Sequence, residues 1–354
     1  MSEIQKSFST EKYVVIHTVK EEQDGWRLDQ FVQKCMPTLS RQYLKGKIER
    51  GDVEISGRKP PHKPSVKVHA NEKITITTHN DGSIEDELWN GKPLPRDAKP
   101  TVVFEDDELL VVNKPPFMIT HPAGKNLFYC ATVFFQTIYK KTIHSIHRID
   151  RETSGLLLLG KNPKVAQRVS IQFEEDKVRK CYFFIAHKKP GAVPFPFTAK
   201  QRMDRMEGEV PMMETWPQDS SSGKESETGF ELLLEKNDYV LAMAFPLTGR
   251  QHQIRLHAAV NGYPLLGEKL YHVGPEIFKR FKDHEATPED HELLQIPRHA
   301  LHATALKFYY PEDKMTFFIA PLPDDLAEWI ETKLHVDRKE VEALIKAKVE
   351  QFLK

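Results

Sequence analysis

Cysteine is scarce in this chain: three in 354 residues, Cys35, Cys130 and Cys181, far apart in sequence. That scarcity excludes a disulfide framework and a cysteine-based zinc site, and a reducing cytoplasm is the expected setting. Long apolar runs are missing too. The longest purely aliphatic stretch is Leu156 to Leu159, against the roughly 20 residues of a membrane-spanning helix, so no membrane partner is expected. The opening MSEIQKSFST lacks the apolar centre of a secretory signal. Charge of one sign is also lacking, with 51 Lys+Arg against 51 Asp+Glu. Taken as one number, that balance argues against a nucleic-acid partner, because phosphate binding usually shows as a basic excess. No P-loop, GxGxxG or GxSxG occurs, so nucleotide hydrolysis, dinucleotide redox and serine hydrolysis lack their usual loops.

What is present is ordinary globular chemistry, 39% hydrophobic and 29% charged, long enough for two domains or one domain with an appendage. Residues 1–12 read as a flexible tail. Leu28, Phe31, Val32, Cys35 and Met36 are spaced as one helical face, which Pro37 ends. Ser40 then caps a second helix, with Tyr43, Leu44 and Ile48 inward, Arg41, Lys45, Lys47 and Arg50 outward, and Gly51 closing it. Short strands are predicted at 53–55, 66–68 and 73–77. This unit, 13–80, is followed by a polar, Pro-containing linker at 81–100. A larger α/β region spans 101–325, opening with strands near 101–104 and 108–112. Residues 190–228 read as loops or an irregular insertion. An amphipathic helical extension at 326–354 presents Leu326, Trp329, Ile330, Leu334, Val341, Leu344, Ile345 and Val349.

Two segments carry chemistry. In HRIDRETSGLLLLGKN, His147 to Asn162, the four leucines suit a strand buried on both faces. Asp150 then sits on a loop held by a core strand, where functional groups tend to lie; the plainer alternative is a surface carboxylate paired with Arg148 or Arg151. A metal site from His144, His147 and Asp150 would need a helix there, and the run into Gly155 disfavours one; no metal is expected. In LTGRQHQIRLHAAV, Leu247 to Val260, Thr248 and Gln251 have capping-box spacing, which predicts a helix start. Arg250 and Arg255 cannot both face a core, so at least one should seek a carboxylate or phosphate. A solvated basic helix is the alternative, but the interleaved Ile254, Leu256, Ala258 and Ala259 imply half-burial.

HRIDRETSGLLLLGKN resembles the signature of the RluA-family pseudouridine synthases, HRLDRxTSGLLLxAK. Four further motifs follow in that family's order: VVNKPPFMITHP (Val111 to Pro122), RKCYFFIA (Arg179 to Ala186), LTGRQHQIRLHAAVNGYPLLGEKLY, and RHALHATALKFYYP (Arg298 to Pro311). The resemblance covers about 100–325. It implies an α+β pseudouridine synthase fold, with a mixed, mainly antiparallel central sheet and flanking helices and loops. The front segment, Trp26 to Thr77, resembles the small RNA-binding domain of the S-four ribosomal-protein type.

The resemblance implies an isomerase acting on uridines of ribosomal or transfer RNA, with RNA as partner, a monomeric state and no cofactor. Pseudouridine formation gains and loses no atoms and needs no redox partner. It assigns Asp150 as nucleophile, Arg255 as its cationic partner and Tyr182 as the ring against the uracil. Arg148 would fill the gap left by a flipped base. His147, Arg151, Arg250 and His252, with Lys45 and Arg41 of the front unit, are the expected substrate contacts. A tyrosine near pKa 10 is a weak base, so packing ranks above proton transfer for Tyr182. Phe117 replaces the family's usual Gly, Glu268 its Asp and His272 its Gly, which bears on substrate choice rather than reaction type. A catalytically silent RNA-binding or chaperone protein of the same fold is the alternative.

The neutral total conceals unlike segments. Residues 27–67 hold ten Lys/Arg against four Asp/Glu, and residues 140–189 twelve against five. Residues 81–108 hold three against nine, and 281–293 one against five. The neutral sum is therefore compatible with RNA, with a basic track confined to the front unit and the Asp150 region.

Overall fold

The structure is a computed structural model that describes residues 5–37, 39–80, 88–95, 97–123, 127–208 and 212–354. Chain contacts divide it into two units, the first made of 1–85 with 122–141, the second of 86–121 with 142–354. Among the described residues, no helix is long and apolar enough to cross a membrane.

The first unit is a four-stranded sheet with helices. Its strands are β1 (Gln5–Phe8), β2 (Lys12–Thr18), β3 (Val53–Ile55) and β4 (Lys73–His79), in the order β1-β2-β4-β3. Helix α1 (Leu28–Cys35) buries Leu28, Phe31 and Val32, as their spacing predicts. In α2 (Arg41–Arg50), the Ser40 hydroxyl accepts the Tyr43 N–H, and Gly51 closes the helix at φ 87°. A third helix, α3 (Ala131–Tyr139), also belongs to this unit. Three expectations need correction. Residues 5–8 form a strand, not a tail, with Phe8 stacked on Tyr13 at 4.2 Å. Residues 66–68 make only an isolated bridge, from Lys67 to Arg27. On α2, Lys47 is the buried residue and Tyr43 the exposed one, because Lys47 Nζ reaches the Thr77 carbonyl at 2.6 Å. Its long aliphatic stem lets it lie inside while its amine is satisfied.

The second unit begins with a small hairpin, β5 (Leu88–Trp89) and β6 (Lys92–Pro93), where a linker was expected. Trp89 holds it by stacking on Phe281 at 5.8 Å; the expected linker residues 81–87 lie outside the described residues. A ten-stranded sheet follows. Its strands are β7 (Thr101–Glu105), β8 (Leu109–Lys114), β9 (His144–Ser145), β10 (Ser154–Gly160), β11 (Arg179–His187), β12 (Phe197–Ala199), β15 (Thr228–Lys236), β16 (Tyr239–Pro246), β17 (Leu301–Tyr309) and β18 (Met315–Ile319). Strands β13 (Arg202–Arg205) and β14 (Met213–Trp216) form a separate hairpin within the expected irregular insertion. The main order is β12-β15-β16-β11-β17-β10-β8-β7, with β18 on β17 and β9 on β10. Among the described residues only β10 and β17 pair in parallel, so the sheet is mixed and mainly antiparallel.

Helices cover the sheet. On one side, α8 (Asp324–Trp329), the turn after it and α9 (Arg338–Leu353) bury Leu326, Trp329, Ile330, Leu334, Val341, Ile345 and Val349 against Cys181, Phe183 and Met243. Elsewhere α4 (Pro163–Glu174) packs Val165, Ala166 and Val169 on Leu156 and Leu158. Helix α5 (Gln253–Val260) packs Ile254 and Ala258 with Phe184, Ala244 and Leu301. Two short helices, α6 (Pro275–Lys282) and α7 (Pro288–Leu294), complete the unit.

The parallel contact of β10 with β17 is made at Ser154–Gly155. There Gly155 adopts φ +109°, and a Cβ on it would lie 2.3 Å from the Ala303 carbonyl oxygen. Gly155→Ala must therefore separate two backbones at the sheet centre. We expect a loss of roughly 3 kcal/mol or more, a fall of about 5–10 °C in Tm. Thermal unfolding by circular dichroism checks this, and an unchanged Tm would contradict the close approach.

Candidate active site

Asp150 lies on the loop between β9 and β10, and that loop is fastened along its length. The Ser170 hydroxyl donates to the Ile146 carbonyl at 2.8 Å, and the Leu158 N–H donates to His147 Nε2 at 3.0 Å. Lys114, fully buried, spreads its ammonium over the carbonyls of Met118 (2.7 Å), Pro115 (2.9 Å) and Arg151 (3.3 Å). Glu152 accepts the His299 N–H at 3.0 Å and Lys269 Nζ at 2.9 Å, while Thr153 Oγ1 sits 2.8 Å from His299 Nε2. The loop thus has little freedom to move the carboxylate.

Arg255 projects from α5 to meet it. Nη1 donates to Asp150 Oδ2 at 3.0 Å, while Nε and Nη2 donate to the two carboxylate oxygens of Glu268 at 2.7 and 2.8 Å. Arg255 is 6% exposed and Glu268 fully buried. Glu268 is itself oriented by the Leu270 N–H at 2.9 Å. One guanidinium therefore serves two carboxylates, and the cluster keeps a net negative charge. Burial, the largest single influence, would raise the Asp150 carboxyl, but the Arg255 charge and hydrogen bond together with the nearby His252 and His299 outweigh it and bring it down to about 2. Glu268 is lowered to about 2 by the same balance. Burial works against the Arg255 cation, and Glu268 followed by Asp150 reverses that, so it stays charged. Because the Asp150 value lies below the ordinary 3.8, its contribution to stability is complete above about pH 4 and fades as pH falls toward 2.

Tyr182, on β11, is half-buried and faces the same cavity. Burial, then the Asp150 charge, pushes its phenol far above the usual range. It is a neutral ring at any working pH, and packing is the role its chemistry allows. The cavity has a volume of about 460 Å³ and is lined by Asp150, Tyr182, Arg255, His252, Lys180 and Arg148, among others. Lys180 donates to the Leu247 and Thr248 carbonyls at 3.0 and 3.2 Å, and burial lowers it to about 8. Such a space, with an ionised carboxylate, a flat aromatic wall and cations on its rim, suits a nucleobase carried on a phosphate chain.

The predicted capping box at Thr248 and Gln251 does not form. The Gln253 side chain takes its place, accepting from Thr248 Oγ1 at 2.8 Å and from the Arg250 N–H at 2.9 Å. The helix starts at Gln253, leaving Arg250 and His252 on the preceding turn and Arg255 on the helix. Arg250 is exposed, lines the cavity and donates Nε to the Glu225 carbonyl at 2.9 Å. Arg148 is exposed on the cavity wall and has no side-chain partner among the described residues, so the expected alternative of a pairing with Asp150 does not hold.

Two of the expected substrate contacts also have partners within the protein. His147 stacks on Phe173 at 4.5 Å and spends its Nε2 on the Leu158 N–H; burial, then Lys180, lowers it to about 3. Its ring lines the cavity and also braces the loop. Arg151 lies off the cavity wall, with Glu152 at 3.7 Å. Lys45 and Arg41 are exposed on α2 of the first unit. Phe117, in the position of the expected Gly, is buried and takes φ 67°, a left-handed conformation that favours glycine. Sequence reasoning missed Glu268 as a functional residue. The available signal was Arg255, a half-buried cation still requiring an anion.

Glu268→Gln keeps the shape and removes the charge that claims Nε and Nη2. We expect kcat to fall roughly 10–100-fold with RNA affinity nearly unchanged, and Glu268→Asp to fall between. Single-turnover rates beside filter-binding Kd values check this; a kcat within twofold of wild type would contradict it.

A family model described as RNA pseudouridylate synthase matches residues 108–260. The chain is 30% identical over 330 residues to the ribosomal large subunit pseudouridine synthase D of Vibrio vulnificus, covering 89% of this chain and 93% of that protein. It is 31% identical over 319 residues to the protein of the same name from Vibrio cholerae, with coverages of 88% and 92%. Against an uncharacterized RNA pseudouridine synthase, YlyB of Bacillus subtilis, identity is 29% over 329 residues, covering 89% and 96%. Among solved structures, human RNA pseudouridylate synthase domain containing 1 superposes with a TM-score of 0.51 at 22% identity, covering 66% of this chain and 86% of that one.

Proposed function

Because the chain belongs to the RluA-type RNA pseudouridine synthase family, we propose that it isomerises specific uridines of large-subunit ribosomal RNA, with Asp150 as the nucleophile. The observation that carries this reading is the Asp150–Arg255–Glu268 cluster, with Arg255 and Glu268 buried and Asp150 half-buried, opening onto a base-sized cavity. The reaction breaks the bond from ribose C1′ to uracil N1 and joins C1′ to C5 of the same ring. C5 loses a hydrogen and N1 gains one, so composition is unchanged. An ionised carboxylate can attack or steady the electron-poor centre at either end of the N1 bond. Arg255 keeps it ionised in a site where bulk water is scarce. Tyr182 supplies the face on which uracil stacks. Arg148, planar, charged and without a side-chain partner among the described residues, fits the space that a flipped base vacates.

The ribosomal target is favoured over transfer RNA by the names of the Vibrio relatives. The first unit is proposed to be an S-four-like RNA-binding domain that adds affinity through Arg41 and Lys45 of α2. Its basic excess, ten Lys/Arg against four Asp/Glu over 27–67, supports that role.

The test uses ribosomal and transfer RNA, tritiated at uridine C5, from cells lacking the gene. Wild type should release tritium from large-subunit RNA, and Asp150→Asn should be slower by roughly 10³-fold or more. No release by wild type from either RNA, or equal release by the variant, would overturn the assignment.

A further inference from the structure

Beside the Asp150 cluster runs a second chain of hydrogen bonds. The Tyr271 hydroxyl accepts the Met213 backbone N–H at 3.0 Å and lies 2.7 Å from His252 Nδ1. A phenol has one proton to give. The peptide N–H occupies one acceptor position of the oxygen, and the proton is assigned to Nδ1, the polar atom 2.7 Å away. A nitrogen that accepts carries no hydrogen, so the neutral imidazole of His252 holds its own on Nε2. Nε2 in turn lies 3.9 Å from Asp150 Oδ2, in the wall of the cavity. That is too far for a direct hydrogen bond and leaves the donor available.

The ring is held still. His252 adopts φ 55° as the residue that opens α5. The turn before it is tied by the Gln253 side chain, and its ring packs edge-on to Tyr271 at 5.7 Å. Burial first, then the Arg255 charge, brings its pKa to about 4, so it remains neutral at physiological pH. Met213 belongs to the β13–β14 hairpin, so the donor's tautomer is set by a backbone group outside the catalytic loop.

We propose that His252, its tautomer set by Tyr271, donates Nε2–H to the uracil carbonyl oxygen nearest the ribose: O2 in the substrate and O4 in the product. This rests on the pseudouridine synthase reading and names what the site does to the detached base. When C1′–N1 breaks, its electron pair leaves with uracil and the negative charge spreads to the two carbonyl oxygens. For C5 to meet C1′, the ring must turn over about the line through N3 and C6. That turn exchanges N1 with C5, and with them O2 and O4. A donor fixed beside Asp150 therefore meets an equivalent oxygen before and after the turn. As the N1 pair moves into the N1–C6 bond, the C5–C6 π pair forms C1′–C5, and Asp150 leaves C1′ as a free carboxylate where it had added there; C5 then gives up its proton and N1 gains one. A neutral donor stabilises the anion without surrendering its proton. A histidinium would protonate the base and favour its escape as free uracil.

The experiment compares His252→Phe, His252→Gln and Tyr271→Phe, each first checked for wild-type Tm and RNA Kd. The substrates are C5-tritiated RNA carrying uridine or 2-thiouridine at the target, since sulfur is a poor acceptor. Wild type should slow on the 2-thio substrate. His252→Phe should lose about 10²-fold in kcat on uridine and show no further loss with sulfur. His252→Gln, which places an amide N–H near the Nε2 position, should recover most of the rate, and Tyr271→Phe should show a smaller loss than His252→Phe. A wild-type rate for His252→Phe, or an undiminished sulfur effect in it, would overturn the inference. Failure of wild type to act on the uridine RNA would instead remove the synthase reading itself.

Discussion

One guanidinium sets the terms for the rest of the site. Arg255 gives two of its donors to Glu268 and one to Asp150, and with little exposure to water those bonds are strong and directional. Removing Arg255 would leave two carboxylates close together with no cation between them, the expensive case for an ion cluster. The cluster is accordingly a device for function rather than for stability. It holds an ionised carboxylate at the edge of a base-sized cavity, already oriented, so that little reorganisation is left for the moment of reaction. Sharing the cation between two carboxylates also keeps Asp150 from being fully neutralised.

The remainder of the second unit keeps those groups in place. The Asp150 loop is fastened by Lys114 on one side and by the Glu152–His299 contacts on the other. Arg298 extends the brace, its guanidinium shared between Asp325 and the Leu301 carbonyl. Strand β10 makes its parallel contact with β17 only where Gly155 permits it. Positive φ at Phe117 and His252 stores strain close to the chemistry, as rigid functional loops often do. These costs are carried by the apolar packing of α4, α5 and α9 on the two faces of the sheet.

Much of this is legible in sequence wherever the signal is local. Ser40 and Gly51 mark the ends of α2 because capping is a short-range hydrogen-bond problem. The four leucines before Gly160 announce a strand with no wet face. Failures occur where a distant partner decides. Lys47 goes inside because the Thr77 carbonyl, thirty residues on, awaits its ammonium. The helix after Thr248 starts later than its capping pattern predicts, because the Gln253 amide satisfies both the hydroxyl and the Arg250 N–H. His147 is spent on the Leu158 N–H, a partner no spacing rule names. Glu268 was visible only as an unusual residue, and its pairing with Arg255 needs the loop after α5 to fold back.

The central claim is that Asp150 stays ionised because its cationic surroundings, led by Arg255 as anchored by Glu268, together outweigh the cost of burying it. A carbon-13 NMR titration of the Asp150 carboxyl, assigned by comparison with Asp150→Asn, tests it most directly. The account predicts no protonation as pH falls from 8 to 4, with a midpoint at about 2. A carboxyl that titrates at or above its ordinary 3.8 would contradict it.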